Sequence, residues 1–287
     1  MAIELKSVEY SYDQGRKKHS YALKDINVSI NDKDEFISII GKTGSGKSSL
    51  VNIFNALRIP TSGEAFLYGI KLKERRKRSE NYNTLREKIG LVFQFPDYQL
   101  FEESVIKDVM FGPKNFGHKE IEAKEMAIKA LELVSFPKDS YEKSPFELSG
   151  GEKKMASIAG ILASDPDIFI LDEPTASLDP KLKKQLFSLL LSLNRDQHKT
   201  IIVITHDMNV VYEYSKRALV LNEGTLIYDG DSEELFTSRS DVVEKASLDY
   251  PDLIEITKEL NDKCNLDLPY KKNIDELLEE IIKWETS

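Results

Sequence analysis

The sequence predicts an α/β fold with a largely parallel sheet. Short segments rich in Val, Ile, Phe and Tyr, separated by Gly, Asp and Asn, are typical of strands at residues 3–8, 22–30, 35–40 and 64–68. A second set of apolar strands alternates with helical patterns after residue 168, which favours parallel pairing through crossover helices. Within the first set, a glycine-rich loop joins the apolar strand at 35–40 to an amphipathic helix.

The predicted elements follow one another in a definite order. A helix begins after Gly46 and stops before Pro60, and a buried strand covers residues 89–94. Residues 104–163 are mostly helical and read as an insertion into the sheet. One apolar stripe in this insertion consists of Ile121, Ala127, Ala130, Leu131 and Val134. The alternating part comprises strands and helices at 168–171, 180–194, 200–205 and 208–214, and then a hairpin formed by 217–221 and 225–228.

The charge and composition of the chain disfavour several classes of function. The 287 residues carry a formal net charge of −9, which disfavours general nucleic-acid binding because that binding depends on clustered Lys and Arg. The most basic stretch, residues 71–78, is interpreted as a solvated face or loop. Apolar runs reach only four to five residues, whereas a membrane span needs about 20, so we do not expect the chain to cross a membrane by itself. The single cysteine, Cys264, excludes an intrachain disulfide.

Residues 41–48 read GKTGSGKS, which is the G-x-x-x-x-G-K-S pattern of a phosphate-binding loop. Glycines let successive N–H groups converge on one point at the positive end of the following helix, where a polyanion binds. The lysine adds charge at the β- and γ-phosphates, and the serine hydroxyl can ligate Mg²⁺. The predicted ATP-binding residues here are Gly41, Lys42, Thr43, Gly44, Ser45, Gly46, Lys47, Ser48 and Ser49.

Two carboxylates end the apolar strand IFILDE at residues 168–173. Ligands of open α/β sheets bind at the carboxyl ends of the strands, so both acids should face the phosphate loop. Asp172 is predicted to hold Mg²⁺ through water. Glu173 is predicted to orient or deprotonate the attacking water.

Residues 148–152 read LSGGE, and with this segment the chain resembles the ABC ATPase family, whose signature is usually LSGGQ. The resemblance implies that the segment opens a helix and faces the γ-phosphate held by an opposite subunit. The residues predicted to contact ATP in trans are Ser149, Gly150, Gly151 and Glu152. Glu152 departs from the usual Gln and brings a negative charge near the nucleotide.

Further motifs follow along the chain in the order in which the ABC ATPase family carries them. Gln94 resembles the Q-loop glutamine that senses Mg²⁺ and the γ-phosphate, and residues 177–180 (SLDP) resemble the D-loop, in which Asp179 reaches across the dimer. His206 resembles the switch histidine that contacts the γ-phosphate. Tyr12 resembles the aromatic residue that stacks on adenine, although Tyr10 lies only two residues away.

The resemblance implies a P-loop ABC nucleotide-binding domain with a RecA-like mixed sheet core, a β-rich N-terminal subdomain and a helical signature subdomain at about residues 95–165. We expect this domain to cover residues 1–235 and a small helical extension to cover 236–287. The implied activity is ATP hydrolysis with Mg²⁺, in which two ABC domains close head to tail on two ATP molecules. One motif set per chain implies a second ABC ATPase, either a paralogous chain or another copy of this one.

Residues 93–112, which read FQFPDYQLFEESVIKDVMFG, resemble the ATPases of energy-coupling factor importers. In that family the stretch forms a short helix after the Q-loop, near the docking site of the transmembrane coupling protein; Pro96, Asp97, Tyr98, Gln99 and Leu100 fall there. Residues 112–117 (GPKNFG) fit the second ATPase type of heterodimeric versions, and residues 246–270 resemble the helical tail of these ATPases. The apolar positions of the final helix, from Ile274 to Trp284, predict either a dimer contact or packing within the chain.

The function that follows is ATP hydrolysis that energises an importer of vitamins or other micronutrients from the cytoplasmic face of the cell membrane. The resemblance implies a transmembrane coupling protein and an interchangeable membrane substrate-binding protein as partners. An ordinary ABC importer with a fixed permease pair is the alternative, because it shares every catalytic residue. A soluble ABC machine is disfavoured, since such proteins usually carry two motif sets, long coiled coils or basic surfaces.

Overall fold

The computed structural model describes residues 1–12, 21–73, 82–94, 100–176 and 178–285. The predictions on Pro96, Asp97, Tyr98, Gln99 and the first residue of the SLDP segment lie outside these ranges, as does most of the basic stretch. In the described part of the chain, no helix combines the length and the apolar character needed to span a membrane.

A four-stranded antiparallel sheet forms the N-terminal part, with strand order β2-β1-β4-β5. Its strands are β1 (Ile3–Ser11), β2 (Tyr21–Ile30), β4 (Ser62–Leu67) and β5 (Ile70–Lys71). Buried and exposed residues alternate along much of β1 and β2, as expected for strands with one face on a core.

A six-stranded mixed sheet forms the centre, with strand order β10-β9-β3-β8-β7-β6. Its strands are β3 (Phe36–Ile40), β6 (Ile89–Val92), β7 (Ile168–Asp172), β8 (Thr200–Ile204), β9 (Arg217–Asn222) and β10 (Thr225–Asp231). All neighbours pair in parallel except β10, which forms the expected hairpin with β9. Strands β3, β6, β7 and β8 are fully buried, which explains why they read as continuous apolar runs.

Helices cover both faces of the central sheet. They are α1 (Lys47–Phe54), α2 (Asn83–Lys88), α3 (Val105–Phe116), α4 (Glu120–Leu133), α5 (Gly150–Leu162), α6 (Pro180–Arg195) and α7 (Met208–Tyr214). Helices α3, α4 and α5 share a hydrophobic core with one face of β7 and β8, through residues such as Phe169 and Val203. The alternation after residue 168 and the helical insertion are therefore both present as predicted.

The predicted apolar stripe of α4 is wrong at one residue, Ile121. Ile121 is 77% exposed, and Ala123 takes its place in the core together with Ala127, Ala130 and Leu131. The reason is helical geometry, because six residues from 121 to 127 turn α4 through about 600°, which puts Ile121 far round from the buried face.

The chain ends in four helices: α8 (Ser232–Ser238), α9 (Ser240–Ala246), α10 (Asp252–Cys264) and α11 (Ile274–Glu285). Residues Phe236, Val243 and Ile254 share a core with Ile40 and Val220 of the central sheet. In α11, Leu277 is buried, whereas four apolar side chains are about half exposed: Ile274, Leu278, Ile282 and Trp284. The final helix thus divides its apolar residues between packing within the chain and an exposed face.

Candidate ATP site

The phosphate loop joins β3 to α1, and its turns depend on glycine. Gly41 has φ +143°, and a Cβ atom there would lie 2.1 Å from the carbonyl oxygen of Leu221. Gly46 has φ +106°, and its Cβ would lie 2.5 Å from the carbonyl oxygen of Ala22. Gly46 is also the N-cap of α1 and supplies no side chain to cap the first N–H groups of that helix. These N–H groups and the helix dipole favour an anion at this end of α1.

Two side chains of the loop, those of Lys47 and Ser45, lie near this end of α1. Lys47 Nζ donates hydrogen bonds to the carbonyl oxygens of Gly41 at 2.6 Å and Lys42 at 3.0 Å. Burial lowers the pKa of Lys47, while the carboxylates of Glu173 and Asp172 act in the opposite direction. Ser45 Oγ is buried and makes no hydrogen bond. Lys47 is a half-buried cation that lines the cavity, so a phosphate there would be a favourable partner for it.

The two carboxylates occupy the carboxyl end of β7, next to β8. Asp172 Oδ2 accepts a hydrogen bond from Ser48 Oγ at 3.0 Å. Burial raises the pKa of Asp172, and this hydrogen bond partly offsets the effect. Glu173 has a left-handed backbone with φ +50°, and its Oε2 lies 2.9 Å from Nδ1 of His206. Such a backbone is strained for a residue other than glycine and is found preferentially at functional sites.

A cavity of about 320 Å³ unites these elements. Ten of the predicted site residues line it: Tyr12, Thr43, Gly44, Gly46, Lys47, Ser48, Ser49, Gln94, Asp172 and Glu173. Ala22 of β2 also lines it, and no sequence signal pointed to this residue. Gly41, Lys42 and Ser45 belong to the loop but not to the lining, and His206 reaches the site through its contact with Glu173. The convergence follows from topology, because β3, β8, β7 and β6 are consecutive neighbours in the sheet.

The structure separates the two aromatic candidates for adenine stacking. Tyr12 is 57% exposed at the rim of the cavity, and its hydroxyl lies 2.8 Å from Ser49 Oγ. Tyr10 is buried and meets the Tyr12 ring edge-on, with 5.0 Å between ring centroids. The guanidinium of Arg58 lies 5.6 Å from the centroid of the Tyr12 ring, a contact that sequence reasoning missed. Of the two rings, Tyr12 is the one open to a ligand.

The signature residues lie away from this cavity, at the start of α5. Ser149 is the N-cap of α5 and forms a capping box with Glu152. The carboxylate of Glu152 accepts hydrogen bonds from the Ser149 hydroxyl at 2.7 Å and from its N–H at 2.9 Å, and these bonds lower the pKa of Glu152. Asp179 caps α6 by accepting a hydrogen bond from the N–H of Leu182 at 2.9 Å.

Two lysine contacts near the site were not predicted. Lys154 of α5 donates a hydrogen bond to the carbonyl oxygen of Glu173 at 3.1 Å. Lys183 of α6 forms an ion pair of 2.5 Å with Asp207, the residue that follows His206. Burial raises the pKa of Asp207, but the hydrogen bond and charge of Lys183 outweigh it and bring that pKa below its usual value. A lysine within a helix carries no sequence signal for such a contact, since it depends on how distant segments pack.

The donor set suits magnesium rather than a metal held by protein alone. Among the described residues, no group of three or more His, Cys, Asp and Glu side chains could hold a metal ion. Ser48 Oγ and Asp172 Oδ2 nevertheless lie 3.0 Å apart beside the phosphate loop. Mg²⁺ usually takes one or two protein oxygens together with substrate phosphates, so a hydroxyl and a carboxylate at this place fit it.

The fold and the site together define an ATP-binding cassette, and comparison with known proteins agrees. The ABC transporter family matches residues 23–176. The energy-coupling factor transporter ATP-binding protein EcfA2 of Ligilactobacillus salivarius is 43% identical over 286 residues, which cover 99% of this chain and 97% of the relative.

Solved structures show the same fold. The cbiO1 protein of Clostridium perfringens, part of the ABC transporter complex cbiONQ, is 34% identical with a TM-score of 0.73, covering 90% of this chain and 98% of that one. The dimeric cassette MJ0796 bound to ADP and Pi, in a post-hydrolysis state, is 32% identical with a TM-score of 0.72, covering 80% and 99%.

The chain therefore belongs to the ABC transporter family, among the energy-coupling factor transporter ATP-binding proteins. The predictions of the fold class and of an ABC-type ATP hydrolase are confirmed at this level.

Proposed function

We propose that this chain binds ATP with Mg²⁺ in the cavity beside the phosphate loop and hydrolyses it to drive an importer of the energy-coupling factor type. The observation that carries the proposal is the convergence of Lys47, Ser48, Asp172 and Glu173 on one cavity at the carboxyl ends of β3 and β7. Each of these residues supplies a group that phosphoryl transfer to water requires.

The roles follow from position. The N–H groups at the start of α1 and the ammonium of Lys47 hold the β- and γ-phosphates. Ser48, Asp172 and Gln94 would hold Mg²⁺, which neutralises phosphate charge when it is bound. Glu173 orients the attacking water and accepts its proton, and His206, 2.9 Å from that carboxylate, contacts the γ-phosphate.

A second ATP-binding subunit completes the site. Ser149, Gly150, Gly151 and Glu152 do not line the cavity of their own chain, and they begin a helix whose N-terminus favours an anion. In the proposed dimer they face the γ-phosphate held by the partner, and Asp179 reaches across the same interface. The partner is a paralogous chain or a second copy, and the exposed apolar face of α11 helps to hold the two together.

The transmembrane coupling protein docks beside the Q-loop. Phe93, Phe101 and Phe111 are exposed here, and the last two meet edge to face with 4.8 Å between ring centroids. They line a groove of about 270 Å³ that also includes Leu100 and Ile161. An apolar groove one residue from Gln94 can transmit the nucleotide state to a bound membrane subunit. This docking places the chain on the cytoplasmic face of the membrane, where a separate membrane protein selects the vitamin or other micronutrient.

Gentle extraction of the tagged chain from its native membranes, followed by mass spectrometry, tests the proposal. We expect a second ABC ATPase, one shared transmembrane protein and several different small membrane proteins. A Phe101→Lys variant should lose the membrane proteins but keep the second ATPase, while Ile121→Lys on the exposed side of α4 should lose neither. One fixed permease pair would indicate an ordinary importer, and the absence of any membrane protein would refute the transport role.

A further inference from the structure

Lys154 is a buried cation on the signature helix. It lies one turn beyond Gly150 in α5, and only 5% of it is exposed. Its Nζ donates hydrogen bonds to two main-chain carbonyl oxygens, that of Glu173 at 3.1 Å and that of Ala176 at 3.4 Å. Lysine is almost never buried to this degree unless it is paired, so its placement demands an explanation.

The two carbonyls belong to a single tight turn. The N–H of Ala176 donates to the carbonyl oxygen of Glu173 at 3.3 Å, and Lys154 Nζ bridges the carbonyls at both ends of that turn. On its other side, Glu173 is fixed by its N–H, which donates to the carbonyl of Ile204 in β8 at 3.0 Å. The left-handed backbone of Glu173 is thus held from β8 through its N–H and from α5 through its carbonyl.

We propose that Lys154 is a positioning residue that fixes the backbone of Glu173 and couples it to the signature segment of the same chain. The inference rests on the proposed roles of Glu173 at the water and of the signature at the partner's ATP. Helix α5 carries Ser149 at its first end and Lys154 little more than one turn later. ATP bound by the partner therefore acts on one end of a helical turn whose other end holds Glu173 of this chain.

A side-chain contact links that first turn to α6. A Cβ atom on Gly151 would lie 2.7 Å from Leu182 Cδ1, so α5 abuts α6 directly behind the signature. The N–H of Leu182 in turn caps onto Asp179 of the D-loop at 2.9 Å. A displacement of the start of α5 would therefore also reach α6 and Asp179.

The chain offers a matched control. Lys199 is also a buried lysine, 8% exposed, whose Nζ donates to the carbonyls of Asp165 at 3.3 Å and Pro166 at 2.7 Å. The same Nζ lies 2.7 Å from the Asp165 carboxylate. These carbonyls precede β7 at its amino end, whereas the ATP site lies at the carboxyl end of the same strand. Replacing either lysine by Met removes a buried ammonium bound to main-chain carbonyls, and at Lys199 it also removes the ion pair with Asp165. Only the Lys154 contact reaches Glu173.

The experiment compares Lys154→Met, Lys154→Arg and Lys199→Met in the transporter assembly purified with the full-length chain. Thermal unfolding and steady-state ATP hydrolysis are measured for each. We expect Lys154→Met to lower kcat at least tenfold with KM for ATP within about twofold, since a misplaced catalytic group affects the chemical step. Lys154→Arg should restore kcat to within about threefold of wild type, and Lys199→Met should lower Tm without lowering kcat.

Several results would overturn the inference. One is an unchanged kcat in Lys154→Met, and another is a raised KM with kcat intact, which would mean that Lys154 serves binding. Equal kcat losses in Lys154→Met and Lys199→Met would reduce its role to general stability. If Lys154→Met does not fold, Lys154→Gln is measured in its place. A wild-type kcat in Lys154→Gln would also overturn the inference. A wild-type assembly without ATP hydrolysis would instead refute the proposed function, and with it this inference.

Discussion

His206 Nδ1 lies 2.9 Å from Glu173 Oε2, at the ends of the neighbouring strands β8 and β7. The carboxylate side chain is mostly buried, whereas the imidazole is 79% exposed. Parallel pairing of β7 with β8 brings both groups to one edge of the sheet, although 33 residues separate them in sequence. In the proposed site, both groups are expected to face the γ-phosphate.

The first prediction concerns the carboxylate of this pair. Glu173→Gln should leave ATP binding within about twofold of wild type, because the amide keeps the size and one oxygen of the side chain. It should lower kcat by about 100-fold or more, since the amide cannot accept the proton of the attacking water. Equilibrium binding of ATP and steady-state phosphate release measure the two effects separately. Steady turnover near the wild-type rate would remove Glu173 from this role.

The second prediction concerns His118, which follows α3 and joins it to α2 and α4. Its ring nitrogens lie 3.0 Å from Glu122 Oε1 and 3.2 Å from Glu87 Oε1. Hydrogen bonds to Glu122 and Glu87 raise the pKa of His118 above its usual value. A raised pKa means that the stabilisation is fully present below the unfolded pKa of about 6.5 and is lost as pH rises through the folded pKa.

His118→Gln should therefore lower Tm more at pH 6 than at pH 8.5. The comparison of wild type with variant at each pH cancels the titration of all other groups, so the difference reports this histidine. Thermal unfolding, monitored by circular dichroism at each pH, gives the Tm values that this comparison needs. An equal loss of Tm at both pH values would mean that the ring contributes by packing and not by its charge.

The third prediction concerns the exposed face of α11. Ile282→Lys should weaken association of the ATP-binding subunits, because it places a charge on the exposed apolar side of the helix, one turn after Leu278. Light scattering with ATP present measures the mass. Ile121→Lys is the matched control, since Ile121 is exposed on α4, far in sequence from the tail. Leu277→Ala should instead destabilise the chain by about 2–5 kcal/mol, as expected for truncating a buried leucine. An unchanged dimer mass for Ile282→Lys would contradict the pairing role.

Much of the site could be predicted because each motif directly follows an apolar strand. The phosphate loop follows β3, Asp172 and Glu173 end β7, and His206 follows β8, so parallel topology alone brings them to one edge. Sequence reasoning also anticipated the hairpin of β9 and β10 and the helical insertion.

The missed features depend on packing between distant segments. The guanidinium of Arg58, which follows α1 in sequence, lies over the ring of Tyr12. Lys154 donates a hydrogen bond to the carbonyl of Glu173, 19 residues away in sequence. Neither contact leaves a periodic or compositional trace in the sequence. The prediction that placed Ile121 on the apolar stripe was wrong for a different reason. An apolar residue can match a helical pattern and still face solvent.

The fourth prediction concerns the glutamate of the signature. Glu152 accepts hydrogen bonds from both the hydroxyl and the N–H of Ser149, and these bonds lower its pKa below the usual value. In the proposed dimer this negative charge stands near the partner's γ-phosphate and holds the hydroxyl proton of Ser149 away from it. Glu152→Gln keeps an acceptor for the capping box but removes the charge.

Glu152→Gln should therefore lower KM for ATP by about three- to tenfold, with Tm close to wild type. Glu152→Ala removes the acceptor as well, and we expect it to lower Tm, because the N–H and hydroxyl of Ser149 lose their partner. ATP hydrolysis against ATP concentration, together with thermal unfolding, separates the two effects. An unchanged KM in Glu152→Gln would show that the charge does not reach the nucleotide, and Glu152 would then serve only to cap α5.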